Sequence, residues 1–292
     1  MKTPHLYAVD LDGTLLTDHK TYNHEQFDRV LSLLAEQGSY LAVATGNQMP
    51  KIEQYLAGHE QHKNLYYIAE NGAIIHNQGT DLALWGFSPE LVQDCLTALE
   101  GFPALGIILS CRQHSFVPSD RLAAIAGRVY EQVTKIGVDL PGWDPQDPIT
   151  AIRPFYPNAQ AIDDPSTISE TVVKIALNAD PAEGIYQTIE KLQAALPAGV
   201  AATSSGFGAI DLIIEGNHKG HGLAWLADHL GLEAEQTTAF GDSGNDLEMF
   251  SYAGRAIAME HSDPALAPVS DLTIGSNKDG AVLNFLEAEL TA

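Results

Sequence analysis

The sequence predicts an α/β fold: a doubly wound, Rossmann-like parallel sheet interrupted by an inserted α+β segment. Three observations lead there. Before residue 73, apolar runs over 5–11, 40–45 and 66–69 alternate with a helical stretch and a short helix, the βαβαβ order of a parallel sheet with crossover helices. After Trp85 the rhythm changes, and the strands that follow end without acidic residues. Near the C-terminus the first pattern returns, where the apolar run over 237–240 enters Gly241-Asp242.

The run over 5–11 reaches Asp10 without a turn residue, as a central strand buried on both faces does, and Gly13 breaks it. Phe27, Val30, Leu31 and Leu34 then recur at helical spacing, behind Asn23 and Gln26 and before a stop at Gly38. The second strand, 40–45, ends at Gly46; a short helix holds 52–56; the third strand, 66–69, ends at Glu70-Asn71-Gly72. Ser88-Pro89 starts a helix with Leu91, Val92, Cys95, Leu96 and Leu99 on one stripe, followed by a strand over 105–109 and a helix over 119–133. The Pro- and Asp-rich run 141–165 reads as loops with one short edge strand. A strand over 172–177, a helix over 182–196 and a strand over 200–203 complete the insert, and 209–214 is read as the return towards the first sheet. Lys219 opens a helix carrying Leu223, Leu226, Ala227 and Leu230, and strands over 237–242, 256–259 and 272–274 precede a closing helix over 281–290. The expected division is a core of 1–86 and 212–292 and an inserted α+β domain of 87–211.

The chain of 292 residues is 45% hydrophobic, enough for a substantial core in two domains. Fifteen basic against 38 acidic residues give a formal net charge of −23, which argues against nucleic acid or an anionic membrane as a partner. No apolar run approaches the length of a membrane span, and the N-terminus lacks the pattern of a signal peptide, so a cytoplasmic location is expected. Cys95 and Cys111 lack metal-type spacing, which predicts two buried small hydrophobes and neither a disulfide framework nor a zinc site.

Two predicted strands each deliver a pair of aspartates at their carboxyl ends, Asp10 with Asp12 and Asp242 with Asp246. Four carboxylates in one crevice repel each other unless a hard cation such as Mg2+ holds them. A carboxylate beside a metal can attack a phosphoryl group in line, and a second acid two positions on can protonate the leaving oxygen and then activate water. Each feature also has a plain structural alternative. D-x-D-G-T fits an Asp-Gly turn, Thr45 a β-branched strand end, Lys219 a solvated lysine, and Asp242-Ser243-Gly244 a turn before an aspartate in a first helical turn. An anionic neighbour would account for a lysine placed against the helix dipole.

In order and spacing these residues resemble the haloacid dehalogenase-like superfamily, specifically its Cof-type sugar-phosphatase branch. Asp10-Leu11-Asp12-Gly13-Thr14-Leu15-Leu16 is similar to its first motif, Ala44-Thr45-Gly46 to the second, Lys219 to the third and Gly241-Asp242-Ser243-Gly244-Asn245-Asp246 to the fourth. Glu70-Asn71-Gly72-Ala73 and Ser276-Asn277-Lys278-Asp279-Gly280 resemble further segments. The resemblance implies Asp10 as nucleophile, forming an aspartyl-phosphate, and Asp12 as general acid and base lending its carbonyl to Mg2+. It implies Thr45, Gly46, Lys219 and Asn245 around the phosphoryl group, Asp242 as a metal ligand and Asp246 as support for the metal. Asn47 departs from the arginine usual after Thr-Gly, and Met259-Glu260-His261-Ser262 from a usual Gly-Asn-Ala loop; His261 is expected to be exposed.

The expected activity is Mg2+-dependent hydrolysis of a small phosphorylated metabolite, sugar phosphates first, then nucleotides or phosphorylated cofactors, by a monomer or homodimer. A phosphomutase or phosphotransferase using the same aspartyl-phosphate is the alternative enzyme, and a catalytically silent phosphate-ligand binder the alternative of another class. Arg112, His114, Arg153 and Lys174 are the insert residues singled out for substrate contact.

Overall fold

The computed structural model describes residues 3–135, 140, 142–179, 184–206 and 209–292. Pro141 and the start of the helix expected from Ala182 lie outside them. The chain opens with β1 (Leu6–Asp10), α1 (His24–Glu36), β2 (Tyr40–Ala44), α2 (Met49–Tyr55) and β3 (Leu65–Ala69), followed by the strands β4 (Ile74–Asn77) and β5 (Thr80–Leu84). There follow α3 (Pro89–Leu99), β6 (Gly106–Cys111), β7 (Ser115–Pro118), α4 (Ser119–Lys135), β8 (Ala159–Ile162), β9 (Val172–Asn178), α5 (Ile185–Ala195), β10 (Val200–Gly206) and β11 (Ala209–Ile214). The last part holds α6 (Lys219–His229), β12 (Thr237–Gly241), α7 (Leu247–Tyr252), β13 (Arg255–Met259), β14 (Leu272–Ile274) and α8 (Ala281–Thr291).

Two compact units result, Met1–Asn47 with Glu53–Leu84 and Asn217–Ala292, and Gln48–Ile52 with Trp85–Gly216. In the first, eight strands run in the order β14-β13-β12-β1-β2-β3-β4-β5. The six from β14 to β3 are parallel, and β4 and β5 add an antiparallel hairpin at one edge. The order reverses at β1, so the ends of β1 and β12 flank the crevice where ligands bind in open α/β sheets. All five residues of β1, β3 and β12 are buried, which is why these strands read as unbroken apolar runs. Helix α1 buries Phe27, Val30, Leu31 and Leu34, starts where the Asn23 side chain accepts from Gln26 N, and stops before Gly38 at φ +69°.

The β4–β5 hairpin is absent from the sequence reading. Its turn is Gln78-Gly79, both at positive φ, and the partly exposed β5 has no apolar run to announce it.

The second unit is α+β, with a sheet in the order β10-β11-β9-β6-β7-β8, antiparallel except between β7 and β8. One core joins Cys95 and Leu99 of α3 to Ile107, Leu109, Ile175, Leu177 and Leu212, and includes Leu192 of α5. Another joins Ile125 of α4 to Ile108, Val117 and Ala176. Alternate residues of β6 and β9 thus serve opposite faces. Cys95 and Cys111 are buried free thiols in the first of these cores. The strand over 209–214, read as the return to the first sheet, is instead β11, paired with β10 and β9, so the expected 211/212 boundary falls inside a strand. An apolar run by itself does not say which sheet it joins.

Among the described residues, no helix is long and apolar enough to cross a membrane.

Candidate active site

The residues predicted for catalysis, phosphate binding and metal all lie in the first unit. The parallel register of β1 on β12 pairs Val9 with Phe240, so Asp10 ends its strand beside Gly241, with Asp242 one residue further on. Lys219 is the hub, 1% exposed at the start of α6. Its Nζ donates to Asp10 Oδ1 at 2.6 Å, to Asp246 Oδ1 at 2.7 Å and to Asn245 Oδ1 at 3.3 Å. Two carboxylates in direct contact offset the repulsion between a lysine and the amino end of a helix. The other oxygen of Asp246 accepts from the backbone N–H groups of Asp242 and Ser243 at 3.0 and 3.1 Å. Asp246 therefore ties the lysine to the loop that carries Asp242.

Close backbone approach makes this possible, and glycine permits it. A Cβ on Gly13, whose φ is +80°, would lie 2.4 Å from Asp242 Oδ2, and one on Gly72, at φ +98°, would lie 2.3 Å from the carbonyl oxygen of His218 next to Lys219. Thr14 completes the clamp on Asp242, its hydroxyl donating to Oδ1 at 3.2 Å.

Asp10, Asp242 and Asp246 present donor oxygens within 4.8 Å of one another. Three carboxylates against the single ammonium of Lys219 leave two negative charges uncompensated. The titration shifts bear that imprint. Burial pushes the Asp10 carboxyl well above its ordinary value; Lys219 pulls it back, while Asp246 and Asp242 push it further up. Burial and Asp246 likewise raise Asp242, against the pull of Lys219 and Thr14. For Lys219, burial favours the neutral amine, but Asp10 and Asp246 outweigh it and hold the ammonium above its ordinary value. A hard, all-oxygen donor set short of two positive charges fits a hard divalent cation.

Asp12 sits apart from this buried group, its side chain 40% exposed and paired with Lys20. Its other oxygen accepts from Asn47 Nδ2 at 2.5 Å, and the same amide nitrogen lies 3.0 Å from Thr45 Oγ1. The Asn47 backbone N–H also donates to Thr45 Oγ1. Asn47 thus links the segment just after β1 to the end of β2, through Asp12 and Thr45.

Sequence reasoning assigned no role to Asn71. It lies in a 3-10 turn after β3 at φ +57°, next to Glu70 at +52°, and its Oδ1 would be 2.8 Å from a Cβ on Gly46 and accepts from Asn245 Nδ2 at 3.4 Å. The signal was the Asn-Gly pair ending a buried strand, a left-handed turn that brings a side chain back over the strand ends. His261 is exposed, with Nε2 3.1 Å from the carbonyl oxygen of Gly13.

The four residues singled out on the inserted segment lie in the second unit. His114 pairs with Glu170, Lys174 is 3% exposed and 3.5 Å from Asp211, and Arg153 Nε donates to the Ala159 carbonyl at 3.5 Å. Arg112 lies in the turn between β6 and β7.

Comparison with known proteins agrees with this geometry. Residues 7–286 match the model of the haloacid dehalogenase-like hydrolases. The 5-amino-6-(5-phospho-D-ribitylamino)uracil phosphatase YbjI of Escherichia coli is 29% identical over 285 residues, covering 98% of this chain and 96% of its own. The pyridoxal phosphate phosphatase YbhA of the same organism is 25% identical over 288 residues, covering 99% of both chains. The crystal structure of SMU.1108c from Streptococcus mutans superposes with a TM-score of 0.83 at 24% identity, over 99% of this chain and 100% of that one. The chain belongs to the haloacid dehalogenase-like hydrolase family, in its Cof-type branch of phosphoric monoester hydrolases.

Proposed function

We propose that this phosphatase is Mg2+-dependent and hydrolyses a small phosphomonoester through a phosphorylated Asp10. The observation that carries the reading is the buried Asp10 carboxylate at the end of β1, held by Lys219 at 2.6 Å and grouped with Asp242. Asp10 attacks phosphorus in line, forming the P–O bond to the enzyme as the bond to the substrate oxygen breaks. Asp12, at the exposed side, protonates the leaving alcohol. It then takes a proton from the water that attacks the phosphoryl group, which releases inorganic phosphate and restores Asp10. Lys219, Thr45, the Gly46 backbone and Asn245 bind the phosphoryl oxygens and stabilise developing charge. Asp10, Asp242 and the Asp12 carbonyl would hold Mg2+, with Asp246 supporting them from behind; when bound, it supplies charge stabilisation to the phosphoryl group.

The inserted domain is assigned substrate selection. Relatives named for a phosphoribitylamino-pyrimidine and for pyridoxal phosphate support a phosphorylated sugar, sugar alcohol or cofactor as substrate. Two buried free cysteines accord with a cytoplasmic setting.

The test is steady-state turnover of a panel of sugar phosphates, sugar-alcohol phosphates, nucleotides and pyridoxal phosphate with Mg2+, in water carrying heavy oxygen. Hydrolysis of at least one member, label in the released phosphate and no turnover by Asp10→Asn are expected. Transfer of unlabelled phosphate to a sugar hydroxyl would favour the mutase, and tight binding with no turnover the silent binder. Full activity in Asp10→Asn would end the nucleophile assignment.

A further inference from the structure

Far from the strand ends in sequence role, a second group of metal-ligating side chains gathers where α1 meets the loop after α2. Asp28 lies on α1, and His59 and His62 lie three residues apart in that loop. Asp28 Oδ1 is 2.7 Å from His59 Nδ1 and 3.0 Å from His62 Nε2. One donor atom of each residue lies within 4.8 Å of both others.

We propose that Asp28, His59 and His62 form a site for a divalent transition metal such as Zn2+, with the fourth position left to water. The ligand types favour this class, since imidazole nitrogens suit Zn2+, Ni2+ and Cu2+, whereas Mg2+ takes oxygen ligands. Bonds of about 2.0–2.1 Å in a tetrahedral site separate neighbouring ligand atoms by about 3.3 Å. Asp28 Oδ1, at 2.7 and 3.0 Å from the two ring nitrogens, has to draw back by a few tenths of an ångström, and the 46% exposure of this carboxylate gives an ion its way in from solvent.

The surroundings hold the ligands in place. The His59 side chain is 3% exposed, and its ring meets Phe27 edge-on at 4.9 Å. Its far nitrogen, Nε2, lies 3.2 Å from His24 Nδ1. A metal on Nδ1 leaves the hydrogen on Nε2, where His24 accepts it, the outer-shell partner that fixes a ligating imidazole. His24 is itself stacked on Tyr22 at 4.2 Å. The His62 N–H donates to the His59 carbonyl at 3.1 Å, so one tight turn spaces the two ligands. Cysteine spacing, which argued against zinc, does not bear on a site built from histidines. Binding moves the ring hydrogen to the far nitrogen of each histidine and releases a proton from any ring that was cationic.

Equilibrium dialysis of the full chain against Zn2+, with Mg2+ in large excess, tests the site. About one retained Zn2+ per chain is expected, with affinity weakened at least about tenfold in His62→Gln and in Asp28→Asn, and unchanged in Asp242→Asn. Zn2+ should raise the melting temperature of the natural protein and leave that of His62→Gln where it was, both variants showing the natural circular dichroism. Natural Zn2+ affinity in both His62→Gln and Asp28→Asn, or loss of the ion in Asp242→Asn alone, would overturn the proposal.

Discussion

Two clusters of ligating side chains lie in the first unit, and they meet the problem of charge in opposite ways. At the strand ends, Asp10 and Asp246 are 4% and 0% exposed and share one lysine, and Asp242 lies beside them, so like charges are forced together with too little compensation. At α1, a half-exposed Asp28 receives two imidazole donors on one oxygen. The titration directions record the contrast. Asp10 and Asp242 are raised, burial leading; for Asp28, burial works the same way, but the hydrogen bonds from His59 and His62 prevail and lower it. A buried carboxylate cluster demands a cation, while a half-exposed carboxylate served by imidazole donors merely permits one.

The sharpest way to break the comparison is to remove the nucleophile. Asp10→Asn should lower kcat by about four orders of magnitude or more, measured at saturating Mg2+, whereas His62→Gln should leave kcat within about twofold. Lys219→Met should cost about 10²- to 10³-fold in kcat, because a donor preorganised for the phosphoryl group is lost; an undiminished kcat would remove Lys219 from the chemistry. Gly13→Ala should cost about 10²-fold, since its Cβ has to displace Asp242 and the backbone has to leave φ +80°. A smaller effect carries the opposite sign. Asp242→Asn should raise the stability of the metal-free protein by about 1 kcal/mol in urea titrations while abolishing turnover, as expected where like charges are held together for function.

The smallest effect concerns pH. The Asp28 carboxyl is lowered in the folded state, so its stabilising contribution is present above the unfolded value of 3.8 and is lost as pH falls through the folded value. The melting temperature of the natural protein minus that of Asp28→Asn should therefore be greatest above pH 3.8 and shrink below it. A difference that grows on acidification would show that the histidines do not hold this carboxylate.

The same physics explains what was legible. Strands β1, β3 and β12 are wholly buried and β2 is buried after its first residue, so apolar runs announce them; Asp10 closes the first run and Asp242 follows the last directly. The hairpin of β4 and β5 has no such run, and β7 is only four residues long. β11 was visible as a strand but not as a partner of β10 and β9, because an apolar run carries no label for the strand it will pair with. Asn71 was quoted within a motif but given no role, since its meaning depends on a left-handed turn that returns it to Asn245 and Gly46.

Residue order alone determined the alternation of strands and helices, the acidic strand ends and the family motifs, because these are local patterns of burial and turn chemistry. Only the folded chain decided that Lys219, 209 residues from Asp10, would be shared by Asp10 and Asp246, and that His59 and His62 would meet Asp28. Those contacts depend on sheet register and on where glycine lets backbones touch, and neither is written in the spacing of residues along the chain.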